Sequence, residues 1–170
     1  MSAHLFIAED ESPIITLLKY NLEKEGHKVS YSENGEDALK QIKDKHPDLI
    51  LMDWMLPDLS GVDICKNLKK DKKFKDIPII MVTAKGEEED KLKAFDTGAD
   101  DYVTKPFSQK ELNARIKSLL RRSKPQSSED VVVFSDLKID RITKRVYRKN
   151  IEINLGPTEF KLLDFFIKNP

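Results

Sequence analysis

Leu49-Ile-Leu-Met-Asp53 is the stretch that decides the fold. Four apolar residues in a row, with no polar alternation, are too few for a helix. They suit a strand buried on both faces, as in a parallel sheet covered by helices. Asp53 then stands at the strand's carboxyl end. Leu5-Phe-Ile-Ala8 has the same character and runs directly into Glu9-Asp10. In an open α/β sheet the carboxyl edge is where ligands bind, so acids delivered there by two strands have a chemical reason to converge.

Outward from these two runs, strand candidates recur at Lys28–Tyr31, Ile79–Thr83 and Tyr102–Thr104, and each of the five is followed by a helical pattern. Residues 1–122 are therefore predicted to form a doubly wound, five-stranded parallel sheet of the α/β class. The last helix is the clearest: Leu112, Ile116, Leu119 and Leu120 fall on one face, behind Ser108 as N-cap with Glu111 three positions on. Ser12 with Pro13 is expected to start the first helix in the same manner, and Gly26 stands where a C-terminal cap glycine belongs. The run Glu87-Glu-Glu-Asp90 reads as the acidic first turn of the helix after the fourth strand.

Beyond Arg122 the chain turns polar, with proline and no periodicity, so residues 123–130 read as a linker. Val131–Phe134, Leu137–Ile139, Arg145–Tyr147 and Ile151–Ile153 look like short strands of an antiparallel meander, followed by one helix from about Thr158. That helix carries Phe160, Leu162, Leu163, Phe165, Phe166 and Ile167, more apolar surface than a small meander can cover, and the sequence ends at Pro170. Residues 131–170 are expected to be the opening part of a larger domain, marginal in isolation.

No apolar run approaches the length of a membrane span, and the opening Met-Ser-Ala-His lacks the basic and apolar regions of a signal peptide, which places the protein in the cytoplasm. Formal net charge is zero, so bulk charge gives no nucleic-acid signal. Cys65 is the sole cysteine; it excludes an intramolecular disulfide and reads as a packed helix thiol.

Carboxylates held within a few ångströms repel one another, and a divalent cation removes that cost while keeping them ionised. Oxygen-only ligation favours Mg²⁺, which takes few carboxylates and leaves room for phosphoryl oxygens. Glu9 and Asp10, an adjacent pair, suit the metal. Asp53, alone at its strand end, suits a nucleophile that forms an aspartyl phosphate. Thr83 and Lys105 end the two remaining strands and supply a hydroxyl and an ammonium for phosphoryl charge; Pro106 permits a cis peptide, and Ala84 keeps the pocket mouth small-sided. Taken singly, a Glu-Asp loop, an Asp at a strand end or a Lys-Pro turn is ordinary. Their order on four strand ends of one α/β pattern is what carries the reading.

Glu9-Asp10, Asp53-Trp-Met-Leu-Pro57, Thr83-Ala84 and Thr97-Gly-Ala-Asp-Asp-Tyr-Val-Thr-Lys-Pro-Phe107 resemble the signature of two-component response-regulator receiver domains, in particular the OmpR/PhoB subfamily. The resemblance spans residues 4–122 and implies the flavodoxin-like receiver fold. In the tail, Leu155-Gly-Pro-Thr-Glu-Phe-Lys-Leu-Leu163 is similar to the opening of that subfamily's winged-helix DNA-binding domain. By resemblance, a sensor histidine kinase donates phosphate to Asp53, with Glu9, Asp10, Asp53 and the Met55 backbone carbonyl around Mg²⁺, and Thr83 and Tyr102 act as the switch.

The same resemblance implies a symmetric dimer on phosphorylation, built by the last receiver strand and the helices on either side of it. It maps to Lys91, Asp100, Asp101, Glu111, Arg115 and Lys117, with Leu92, Phe95 and Ala114 as an apolar patch. Promoter DNA and RNA polymerase are implied as partners of a longer parent protein, since the recognition helix and wing of the domain are absent from this sequence. The role implied is that of a phosphoacceptor signalling protein, not an enzyme acting on a substrate. One alternative is a receiver that serves as a phosphate sink or dimerisation module without DNA. An aspartyl-nucleophile phosphatase would need a second Asp at position 55, where Met stands.

Overall fold

A computed structural model of the chain describes residues 2–84, 96–123, 131–141 and 143–168. Contacts divide the chain into two units, Met1–Ser123 and Lys124–Pro170.

In the first unit, strands β1 (His4–Ala8), β2 (Lys28–Ser32), β3 (Leu49–Asp53), β4 (Ile79–Ala84) and β5 (Asp101–Lys105) form one parallel sheet in the order β2-β1-β3-β4-β5. Four described helices flank it: α1 (Ser12–Lys24), α2 (Gly35–Lys45), α3 (Gly61–Lys70) and α4 (Gln109–Ser123). The segment expected to carry the acidic run 87–90 and its helix lies outside the described residues.

The uninterrupted apolar runs are explained by burial on both faces. Leu5, Ile7, Leu49, Leu51, Ile80 and Val103 share one cluster with Leu18 and Leu22 of α1 and with Leu112, Ile116, Leu119 and Leu120 of α4. Their neighbours Phe6, Ala8, Ile50, Met52, Ile79 and Met81 pack on the opposite face against Ala38 and Ile42 of α2 and Ile64, Cys65 and Leu68 of α3. Each such side chain removed from water contributes roughly 2 kcal/mol, and together they fix the register of the strands. Cys65 belongs to this packing. Its thiol lies 3.6 Å from the Thr97 carbonyl and burial pushes its pKa up, which suits a structural thiol.

Helix ends follow local chemistry, with one correction. Ser108 Oγ accepts from Glu111 N–H, as expected of an N-cap, and Gly26 adopts φ +92°. Gly26 N–H donates to the Glu23 carbonyl and His27 N–H to the Leu22 carbonyl, the paired bonds of a Schellman ending. Ser12, expected as a cap, is instead the first helical residue, and the cap position is Glu11 without a side-chain capping bond. The Ser12 hydroxyl is engaged by the Glu33 carboxylate at 3.3 Å, so it is not spent on the helix.

The second unit is a four-stranded antiparallel meander, β6 (Val131–Phe134), β7 (Leu137–Asp140), β8 (Arg145–Arg148) and β9 (Ile151–Ile153), followed by α5 (Pro157–Lys168). The β8–β9 hairpin turns on Lys149 and Asn150, both with positive φ, as the twist of a two-residue loop requires. Ile139, Val146 and Phe160 form the small core, while Leu162, Phe165 and Phe166 are each more than half exposed. The helix does carry more apolar surface than the described meander covers.

Gly61 is the tightest point between fold and site. A Cβ there would lie 1.8 Å from the Asp53 carbonyl oxygen, and Gly61 N–H donates to the Trp54 carbonyl at 3.1 Å. Gly61→Ala is expected to lower stability by about 2 kcal/mol through overpacking against the β3 terminus. A urea midpoint equal to that of the parent chain would contradict this contact.

Candidate functional site

The site grows from four strand ends, those of β1, β3, β4 and β5, around the sheet's topological switch point, where β1 and β3 lie side by side after leading the chain in opposite directions. Past β1, Glu9 N–H donates to the Ser32 carbonyl at 3.1 Å, extending the β1–β2 ladder by one residue and fixing where the acids emerge. Asp53 closes β3. Trp54 N–H donates to the Val82 carbonyl and Met55 N–H turns back to Asp53 Oδ1 at 3.2 Å, so the loop folds over the carboxylate. Lys105 ends β5, opposite Ala84 in the register, and its bond to Pro106 is cis.

One oxygen each from Glu9, Asp10 and Asp53 lies within 4.8 Å of the others. The Lys105 ammonium sits among carboxylates, 2.9 Å from Glu9 Oε2, 3.1 Å from Asp53 Oδ2 and 3.2 Å from Glu11 Oε1. Glu9 and Asp53 are buried, whereas Asp10 is exposed. Above them opens a cavity of about 520 Å³ lined by Asp10, Glu11, Asp53, Trp54, Met55, Thr83, Ala84 and Lys105.

Burial pushes the Glu9 carboxyl up to about 7; the bond from Lys105 opposes this, and the neighbouring Asp53 reinforces it. Burial also works against the charge of Lys105, but its bonds to Glu9 and Asp53 outweigh that and hold its pKa above the usual lysine range. The ammonium therefore keeps its charge at neutral pH, and a proton on Glu9 relieves part of the crowding of negative charge. A hard divalent cation relieves it better. The donor set of three carboxylate oxygens without His or Cys fits Mg²⁺.

The structure thus brings Glu9, Asp10, Asp53, Thr83 and Lys105 to one place, with Met55 on the adjoining turn. Thr83 is buried at the end of β4. Tyr102 is half-buried on β5; the register pairs Met81 with Tyr102 and Thr83 with Thr104, which puts Thr83 and Tyr102 on one face of the sheet.

Of the interface candidates, Lys91, Leu92 and Phe95 lie outside the described residues. Asp100 Oδ2 accepts from Lys69 Nζ and from Ile79 N–H, both at 2.8 Å. Arg115 donates to both oxygens of Asp101 and to Glu111. Lys117 reaches Glu25 at 3.5 Å, and Ala114 is exposed. Sequence reasoning missed Glu11 and Trp54 as lining residues. The signal for Glu11 was its place in the unbroken acid run Glu9-Asp10-Glu11.

A sheet ordered 2-1-3-4-5 with an acid-and-lysine cluster beside its switch point defines a receiver-type α/β domain. A family model described as the response regulator receiver domain matches residues 5–117. Over 170 residues the chain is 44% identical to the phosphate regulon transcriptional regulatory protein PhoB of Rhizobium meliloti, covering all of this chain and 75% of that protein. It is 45% identical to PhoB of Escherichia coli, covering 74% of it. The alkaline phosphatase synthesis transcriptional regulatory protein PhoP of Bacillus subtilis is 44% identical over 96% of this chain and 71% of its own length.

Among solved structures, a response regulator from Chloroflexus aurantiacus superposes with a TM-score of 0.69 at 35% identity, covering 72% of this chain and all of that one. The chain belongs to the response regulators of two-component systems. Members of this family are signalling regulators that work with sensor kinases, often dimerise and bind Mg²⁺ at an acidic pocket. The acidic cluster here is Glu9, Asp10 and Asp53. Among the described residues no helix is long and apolar enough to cross a membrane.

The Glu9 shift gives a signed expectation. Its carboxyl binds a proton more tightly in the folded chain, at about 7, than at its ordinary value of 4.5, so the stabilisation is complete below 4.5 and is lost as pH rises through about 7. In ion-free buffer the parent chain should lose stability relative to Glu9→Gln between those two pH values. Chemical denaturation of both across that range checks this, and parallel profiles would refute it.

Proposed function

We propose that residues 1–122 are a phosphoacceptor module whose nucleophile is Asp53, followed by a linker at 123–130 and, at 131–170, the first part of a winged-helix DNA-binding domain. The linker falls almost wholly outside the described residues. The carrying observation is the Asp53 carboxylate: it lines an open cavity, 3.1 Å from the Lys105 ammonium and within ligand distance of two further acids.

In the transfer, an Asp53 oxygen attacks the phosphorus of a phosphohistidine on a sensor kinase. The P–N bond breaks, its electron pair leaves with the imidazole nitrogen, and Asp53 becomes a mixed carboxylic–phosphoric anhydride. Lys105 brings a compact positive charge to the phosphoryl oxygens, and the Thr83 hydroxyl donates to them. Glu9, Asp10, Asp53 and the Met55 carbonyl are the proposed Mg²⁺ ligands; the ion, when bound, supplies Lewis-acid polarisation of the phosphoryl group.

Thr83 and Tyr102 then serve as the switch. Turning the hydroxyl towards the phosphoryl group draws on the same sheet face that holds the ring, and the ring's position alters the face of β5 and α4. That face carries the proposed homodimer through Lys91, Asp100, Asp101, Glu111, Arg115 and Lys117, with Leu92, Phe95 and Ala114. On this reading the protein acts in the cytoplasm and catalyses only its own phosphorylation and dephosphorylation. The names of its relatives, phosphate regulon transcriptional regulatory proteins, support a role in transcription control linked to phosphate, with promoter DNA and RNA polymerase as the proposed partners.

With acetyl phosphate and Mg²⁺, intact mass should show one phosphate on the parent chain, none without Mg²⁺ and none on Asp53→Asn, and size-exclusion chromatography should show the labelled chain at twice its mass. An adduct that persists on Asp53→Asn would refute the site. Labelling with unchanged size would refute the dimer alone.

A further inference from the structure

We infer that Glu11 is a positioning residue: it holds the Lys105 ammonium at the cavity mouth in the resting protein and releases it when a phosphoryl group arrives. The inference rests on the phosphoacceptor reading of Asp53. An ammonium has three donors; Lys105 donates to Asp53 at 3.1 Å and Glu11 at 3.2 Å, and its third side is closed by the ion pair with Glu9 at 2.9 Å. Lys105 therefore has no donor to offer a phosphoryl oxygen until one partner lets go.

Exposure decides which partner that is. The side chains of Glu9, Asp53 and Glu11 are 3%, 10% and 60% exposed. Releasing a buried carboxylate leaves an unpaired charge away from water, whereas Glu11 is rehydrated as soon as it is freed.

The local backbone supports a purpose other than helix capping. Glu11 occupies the N-cap of α1, where a short side chain would accept from the helix N–H groups, yet it makes no such bond. Its own N–H donates to Glu9 Oε1 at 3.1 Å, which anchors the residue beside the acids, and its carboxylate reaches 94 positions along the chain to Lys105. Glu11 also lines the cavity through which an anionic phosphodonor must approach. Replacing Glu11 would free the lysine and, where the carboxylate itself is lost, would also remove one repelling charge from that approach.

Two variants separate these effects. Glu11→Gln keeps length and loses charge. Glu11→Asp keeps charge, is one methylene too short for Lys105, and caps the helix better than the parent. At saturating Mg²⁺ both are expected to label with acetyl phosphate about two- to five-fold faster than the parent, the effect of one partly exposed ion pair. The resting contact is read separately, without ion or donor, from the NMR signal of the Lys105 side-chain ammonium, which should move in both variants. Parent-like labelling by Glu11→Asp alongside faster Glu11→Gln would show that charge alone acts and would overturn the inference. So would an unmoved Lys105 signal or unchanged labelling in both. Failure of the parent chain to take up any phosphate would instead strike the reading of Asp53, and the Lys105 signal would still decide the contact.

Discussion

One ammonium set among carboxylates is the constraint on which the site depends. Two unit charges 4 Å apart interact by about 4 kcal/mol at the effective dielectric of a protein surface, so Glu9, Asp10 and Asp53 cannot all stay ionised side by side without compensation. Lys105 supplies one positive charge through contacts of 3.2 Å or less. Glu9, Asp10 and Asp53 with one ammonium leave a formal −2, the complement of a divalent cation, and the Glu9 carboxyl is raised to about 7, by its burial first and by the neighbouring Asp53 second. A hard divalent cation such as the proposed Mg²⁺ therefore suits the cluster in charge as well as in its oxygen-only donor set.

The rest of the domain can be understood as what holds those charges in place. Burial on both faces leaves β1, β3 and β4 little freedom to slip, because a shift of one residue would exchange the clusters packed under α1 and α4 with those packed under α2 and α3, and β5 is held in register by β4. The close approach of Gly61 to the Asp53 carbonyl, possible only without a Cβ, lets α3 start directly over the end of β3. The acids are positioned by packing of the sheet, and only their charges are balanced locally.

Much of this was legible in the sequence, for identifiable reasons. Strand and helix order follows from apolar runs and cap residues, and no strand limit differs by more than one residue from the expected one; Asp53, expected at the carboxyl end of its strand, is the last residue of β3. The acids and Lys105 were legible because each ends a strand. Glu11 was not, because its role depends on Lys105, 94 positions away, and cap statistics drew attention to Ser12 instead. The commitments of Asp100 were equally hidden: it serves Lys69 at the end of α3 and the Ile79 N–H at the start of β4, contacts that only the folded sheet creates.

Those commitments change how a pairing of two copies on the β5–α4 face must be understood. Asp101, Arg115 and Glu111 already satisfy one another within the chain, and Asp100 is held by Lys69. Intermolecular ion pairs on this face would replace existing ones at similar exposure, and such exchanges are worth little, since partly exposed pairs contribute about 0–1 kcal/mol each. In the proposed dimer the charges would set register and exclude wrong partners, while net affinity would have to come from apolar surface brought out of water. Coupling to the site then has a physical route. Tyr102 lies one residue beyond Asp101 and shares a sheet face with Thr83, so in the proposed switch a movement of its ring would act next to the anchored Asp100–Asp101 segment, on the surface that a second copy would meet.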